Sequence, residues 1–89
     1  MTYQLIIPKS YEQKLAKFLK THTELIKPYT KTIKLLELDP YHPSLRLHKL
    51  EGRLKDLYSV SINLKYRIVI NFIIENQQII LIDINNHYD

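Results

Sequence analysis

The sequence predicts an α+β fold: an N-terminal strand, an αα-hairpin and then a three-stranded antiparallel meander, with the helices packed on one face of a four-stranded sheet. Three observations predict it. Residues 66–74 (YRIVINFII) form a short run of mostly apolar, often β-branched side chains, a composition that favours a buried strand over a helix. The runs 56–64 and 78–86 on either side share that character. Ahead of them lie two stretches whose apolar residues recur at helical spacing.

Each element has a local reason. Residues 2–7 carry Tyr3, Leu5, Ile6 and Ile7 and are ended by Pro8, as a short strand would be. Ser10 is placed to cap the helix that follows. In that helix Tyr11, Leu15, Phe18, Leu19 and His22 line one face, and Lys14, Lys17 and Lys20 line the other. The pattern breaks over residues 21–23. A second helix then runs to about Leu38, with Ile26, Tyr29, Ile33 and Leu36 inward and Pro28 near its first turn. Asp39–Pro40 stops it. Residues 41–47 read as a loop leading to HKLEG, where Gly52, the single glycine, marks a turn that needs positive φ.

The last three strands sort by parity, because alternate side chains point to opposite faces. Tyr58, Val60, Ile62, Leu64, Tyr66, Ile68, Ile70, Phe72, Ile80, Ile82 and Ile84 make an apolar even set. Leu57, Ser59, Ser61, Asn63, Arg67, Val69, Asn71, Leu81, Asp83, Asn85 and His87 make the odd set, which holds nearly every polar group. The expectation is an even face under the helices and an odd face open to solvent. Keeping both even sets together needs an odd-length loop or a bulge near residues 75–78.

Composition narrows the function. Eighty-nine residues make one domain, which buries roughly 60–65 % of its unfolded surface. The chain has no cysteine, so disulfide frameworks and thiolate zinc sites are excluded. No run is long enough to span a membrane, and the start lacks the features of a signal peptide, so a cytoplasmic location is expected. A net charge of +4 favours polyanionic partners.

Between Arg46 and Arg67 stand six Lys or Arg and only two acids, Glu51 and Asp56. Beside His48 and His87, such a surface suits a phosphodiester substrate. Cleaving RNA without a metal needs a base for the 2′-OH, cations for the phosphate and an acid for the 5′ oxygen. Histidine serves as either acid or base near neutral pH, and arginine offers phosphate a planar fork. His48, His87 and Arg67 would suffice if they converge. Blander readings stand beside this one. Arg67 can be a cross-strand partner of Asp83, His48 can cap or pack a loop, His87 can be a surface residue, His22 reads as structural and His42 as a loop residue.

The run His48-Lys-Leu-Glu-Gly52, then Leu57-Tyr-Ser-Val-Ser-Ile62, Tyr66-Arg-Ile-Val-Ile70 and Asn86-His87-Tyr88 resembles the RelE/ParE superfamily of bacterial toxins, closest to its YoeB and YafQ branches. The resemblance implies a RelE-like fold and a ribosome-dependent mRNA interferase, the toxin of a type II toxin–antitoxin pair, cutting mRNA in the 30S A site without metal or other cofactor. Its partners would be a cognate antitoxin, mRNA and the ribosome, with no membrane. By position, Arg67 matches the phosphate-stabilising arginine, His87 the terminal general acid or base, and His48 a histidine tied to catalysis or substrate contact. Tyr88 matches an aromatic that stacks on a base; Arg46, Lys49, Arg53 and Lys55 fall in the RNA-binding region. Ser44 stands where the YoeB-like branch has a catalytic glutamate, so His48 or Glu51 would have to substitute. A ParE-like gyrase inhibitor and an inactive binding module are the alternatives the fold shares.

Overall fold

The chain folds as β1 (Gln4–Ile6), α1 (Lys9–Thr21), α2 (Ile26–Leu38), β2 (His48–Lys49), β3 (Tyr58–Ser61), β4 (Arg67–Ile73) and β5 (Gln78–Asn85), in a computed structural model that describes residues 2–73 and 76–86. One sheet has the order β1-β5-β4-β3-β2. β1 lies parallel to β5, and the other neighbours are antiparallel. The expected strand, helix pair and meander are all present. A fifth strand, β2, is added at the edge, where His48 and Lys49 pair with Ser59 and Tyr58.

The helices differ from expectation at their ends. α1 starts at Lys9 after Pro8, with no side-chain cap, so Ser10 lies inside the first turn. Extended Pro8 can precede a helix because its missing N–H is one that the first turn leaves without a partner anyway. One turn of 3-10 helix, Thr23–Leu25, then leads into α2. Pro28 is the third residue of α2, where no intrahelical N–H is lost. Tyr29 and Leu36 face inward as expected, but Ile26 stays 47 % exposed.

The core lies between the helices and one sheet face. Tyr11, Tyr29, Leu36 and Leu45 pack on Val60, Ile68, Ile70, Ile79, Leu81 and Ile84. Tyr11 and Tyr29 join their hydroxyls at 2.8 Å inside it. Each buried hydroxyl thereby finds a partner that water cannot supply there. From α2, Thr32 Oγ1 donates to the Ser61 carbonyl at 3.3 Å and ties the helix to β3.

Two parts of the parity expectation are corrected. β3 ends at Ser61 and Leu64 is 88 % exposed, so Leu64 is no core residue. The cause is local: Asn63 Oδ1 accepts from the backbone N–H groups of Lys65 and Tyr66 at 2.9 and 2.7 Å and turns the chain early. In β5, Ile79 and Leu81 are fully buried, while Ile80 and Ile82 are only half-buried. Ile73 pairs with Gln78, so the connecting loop is even-numbered and sets odd residues of β5 opposite even residues of β4. Parity is restored only in mid-strand. Val69 pairs with Asp83 and Ile70 with Leu81, which leaves Ile82 as the extra residue of a bulge. The expected irregularity exists, but several residues beyond the turn.

Candidate functional site

The register of the sheet assembles the polar face. Directly opposed residues share a face, so His48, Ser59, Val69 and Asp83 form one row across β2, β3, β4 and β5. Ser61, Arg67 and Asn85 form the next. Arg67 and His48 therefore stand on the same side of the sheet. Lys49, one residue on, points to the other side. The bulge at Ile82 is what returns Asp83 and Asn85 to the face of Arg67.

Arg67 is the best-anchored cation of this face. Its Nε donates to Ser59 Oγ at 2.7 Å. Its Nη2 donates to the Arg46 carbonyl at 2.7 Å and to the Ser59 carbonyl at 3.3 Å. The side chain thus leans from its own partner, Ser61, toward Ser59 and the edge that carries His48. This overturns the expectation of a fully open odd face: Ser59, Ser61 and Val69 are buried. Arg67 lies along β3 over Ser59, and its folded-back side chain covers the strand there.

The acceptor at Arg46 depends on an uncommon backbone. Residues Pro43–Leu45 form one turn of 3-10 helix, opened by His42, whose Nδ1 accepts from the Ser44 N–H at 3.1 Å. Arg46 closes that turn in the left-handed region with φ 48 and ψ 50. This conformation is rare for a residue with a side chain and recurs at functional sites. His42 is therefore a loop residue, as expected, and Ser44 brings no carboxylate to the face.

The remaining basic residues flank the edge. Arg46, His48, Lys49, Arg53 and Lys55 are all exposed. Gly52 adopts φ +69 between them, the positive φ that the sequence reading required of it. Arg67 stands opposite Asn85 rather than Asp83. Asp83 meets Lys14 of α1 at 3.5 Å and accepts from Asn85 Nδ2 at 3.2 Å. β1 pairs only with residues 78–80, so among the described residues no strand lies beyond the later half of β5. α1 lines that edge instead, across an open groove of about 610 Å³ bordered by Lys14, Lys17, His22, Asp83 and Asn85.

His22 is structural. It stacks on Phe18 at 4.4 Å, its Nδ1 lies 2.9 Å from the Phe18 carbonyl, and its Nε2 lies 3.1 Å from the Tyr66 hydroxyl. A carbonyl only accepts, so the neutral Nδ1–H form satisfies both contacts, with the Tyr66 O–H donating to Nε2. Two candidates, His87 and Tyr88, lie outside the described residues. The sequence reading put Ser59 on the polar face without a role, and it counted Arg46 only as a cation. The signal for Ser59 was its parity with Arg67; the carbonyl of Arg46 had none, since backbone acceptors are not encoded by residue type.

One comparison shows a family, and the others show its fold. A family model described as "RelE-like toxin of type II toxin-antitoxin system HigB" matches residues 2–87. Solved structures share the fold at low identity. A YoeB/ParE toxin from Agrobacterium tumefaciens is 17 % identical, with a TM-score of 0.74, over 96 % of this chain and 99 % of that one. YafQ from Escherichia coli is 8 % identical, with a TM-score of 0.76, over 96 % and 93 %. The archaeal RelE–RelB complex from Pyrococcus horikoshii is matched at 22 % identity, with a TM-score of 0.72, over 97 % and 96 %. No curated protein matches the sequence.

Proposed function

The chain belongs to the HigB-like, RelE-like toxins of type II toxin–antitoxin systems, and from that premise we propose that it is a metal-independent endoribonuclease that cleaves mRNA on the ribosome. The observation that carries the reading is Arg67, held by three hydrogen bonds among the described residues on the same sheet face as His48. A permanently charged, oriented guanidinium is what a phosphodiester needs as charge develops on its oxygens. Exposed Arg46, Arg53 and Lys55 supply the surrounding positive potential.

The chemistry balances with residues of this chain. One histidine takes the 2′-OH proton, O2′ bonds to phosphorus, and the P–O5′ bond breaks as a second acid protonates the leaving oxygen. His48 and His87 fill these two roles in our reading, His87 by its match to the family's terminal histidine. Arg67 stabilises the phosphorane-like charge between them. Tyr88 is assigned to stacking on a base beside the cut. The work is placed in the cytoplasm, where translating ribosomes are.

The partner is an antitoxin, as in the RelE–RelB complex and in the DinJ–YafQ complex of E. coli, each matched in fold. We place its acidic groups opposite Arg53 and Lys55, where they would screen the cations that RNA needs. The test is primer-extension mapping of cellular mRNA after induction, with and without translation, for the wild type and Arg67→Ala. Cuts that need translation and vanish in Arg67→Ala support the reading. Intact mRNA with accumulating DNA breaks would replace it with a gyrase-directed toxin. Harmless expression of folded wild type without antitoxin would leave only a binding module.

A further inference from the structure

We propose that Ser59 is a positioning residue: its buried hydroxyl, together with the carbonyl of left-handed Arg46, fixes the orientation of the Arg67 guanidinium. The kinetic part of this inference rests on the nuclease reading; the positional part does not.

An arginine side chain has many rotamers, and a guanidinium on an open face would sample most of them. A planar group is oriented once two separate points along one edge are held. Nε and Nη2 are two such points. Nε is bound to Ser59 Oγ at 2.7 Å, and Nη2 is bound to the Arg46 carbonyl at 2.7 Å. The anchors come from different elements. Ser59 is an interior residue of β3, and Arg46 ends the 3-10 turn before β2. Their spacing is set by the pairing of His48 with Ser59, so the clamp and the histidine share one piece of register.

Ser59 also fits the role by its burial. Its exposure is 0 %, so its oxygen cannot exchange Arg67 for water without opening the sheet. Alanine would fill nearly the same space, so the hydroxyl is the only part of the side chain that packing does not require. Neither Ser59 nor the Arg46 carbonyl needs to touch RNA; both act through Arg67. A guanidinium displaced by an ångström or so would still be charged and would still attract RNA, but it would meet the reacting oxygens poorly.

Two measurements test this. The first is the Arg67 Nε–H resonance of the wild-type protein in 1H–15N spectra. It should be resolved and exchange with water at least about tenfold more slowly than that of exposed Arg53, as a buried hydrogen bond requires. It should broaden or shift in Ser59→Ala and return in Ser59→Thr, which restores a hydroxyl. Arg67 Nε–H exchanging as fast as Arg53 in the wild type would overturn the proposal without any variant. The second is single-turnover cleavage of mRNA on programmed ribosomes. Ser59→Ala should lower the maximal rate about tenfold to a hundredfold. The half-saturating toxin concentration should move less than about twofold. Wild-type rates in folded Ser59→Ala would overturn the positioning role and leave the nuclease reading standing. A wild type that cuts no RNA would remove the nuclease reading, and the resonance alone would then decide the position of Arg67.

Discussion

Replacing Leu81 and Ile80 in turn by alanine measures which of two adjacent residues faces the core. Leu81 is fully buried, stands opposite Ile70, and belongs to the cluster under the helices. Ile80 is half-buried and stands opposite Asn71 on the other face. Truncating a fully buried leucine loses its transfer free energy and leaves a cavity, together about 3 kcal/mol. Truncating the half-buried isoleucine loses roughly half the transfer term and leaves little cavity, about 1 kcal/mol. A domain of this size has roughly 4–13 kcal/mol of stability in all, so Leu81→Ala removes a large share. Urea unfolding followed by far-ultraviolet circular dichroism reads both values, with the m-value checking that the unfolded states match. An Ile80→Ala cost equal to or larger than that of Leu81→Ala would refute the bulge at Ile82. Asp83 and Asn85 would then share the face of Arg67 by plain alternation along β5, with no bulge needed to return them there.

Tyr11→Phe strands the Tyr29 hydroxyl in the core; the expected cost, read by urea unfolding, is about 1–2 kcal/mol. Burial pushes the hydroxyl pKa values of Tyr11 and Tyr29 up. The folded chain therefore keeps these protons to higher pH than the unfolded chain does. Their contribution is complete below about pH 10, the unfolded value, and falls above it by up to about 1.4 kcal/mol per pH unit for each tyrosine. Urea midpoints above and below that pH should show the fall, and Tyr11→Phe should flatten it. Gly52→Ala meets no neighbour within 4 Å, so only its φ of +69 opposes the change. A loss of about 1–2 kcal/mol is expected, with Gly52→Asn milder, both by thermal melting. Arg67→Lys keeps the charge but loses the planar fork and the Nε–H that Ser59 accepts, so cleavage should fall at least about tenfold and the melting temperature should drop by several degrees.

The left-handed Arg46 and the short edge strand link the basic loop to the sheet. The histidine of HKLEG gains a fixed place because two residues pair with β3. A loop alone would have left His48 without a defined relation to Arg67. The same pairing also sends Lys49 away from the face, so neighbours in sequence are separated by the pleat.

By itself the sequence determined the two helices, the four longer strands and their order, though not the edge strand β2. These follow from signals that act over a few residues: helical spacing in α1 and α2, Pro8 before the first helix, Asp39–Pro40 after the second, and Gly52 at its turn. It also put Ser59, Ser61 and Arg67 on one face, because β3 and the start of β4 alternate apolar and polar side chains. In β5 it could not do as much. Residues 79–82 read Ile-Ile-Leu-Ile, apolar in both parities, so alternation favours neither register. Only the tertiary structure decided that Ile79 and Leu81 enter the core, that Ile82 bulges, and that Arg67 rests on Ser59 and the Arg46 carbonyl. Those choices depend on how well distant strands and helices pack together, an energy shared among residues far apart in the chain and written in no short stretch of it.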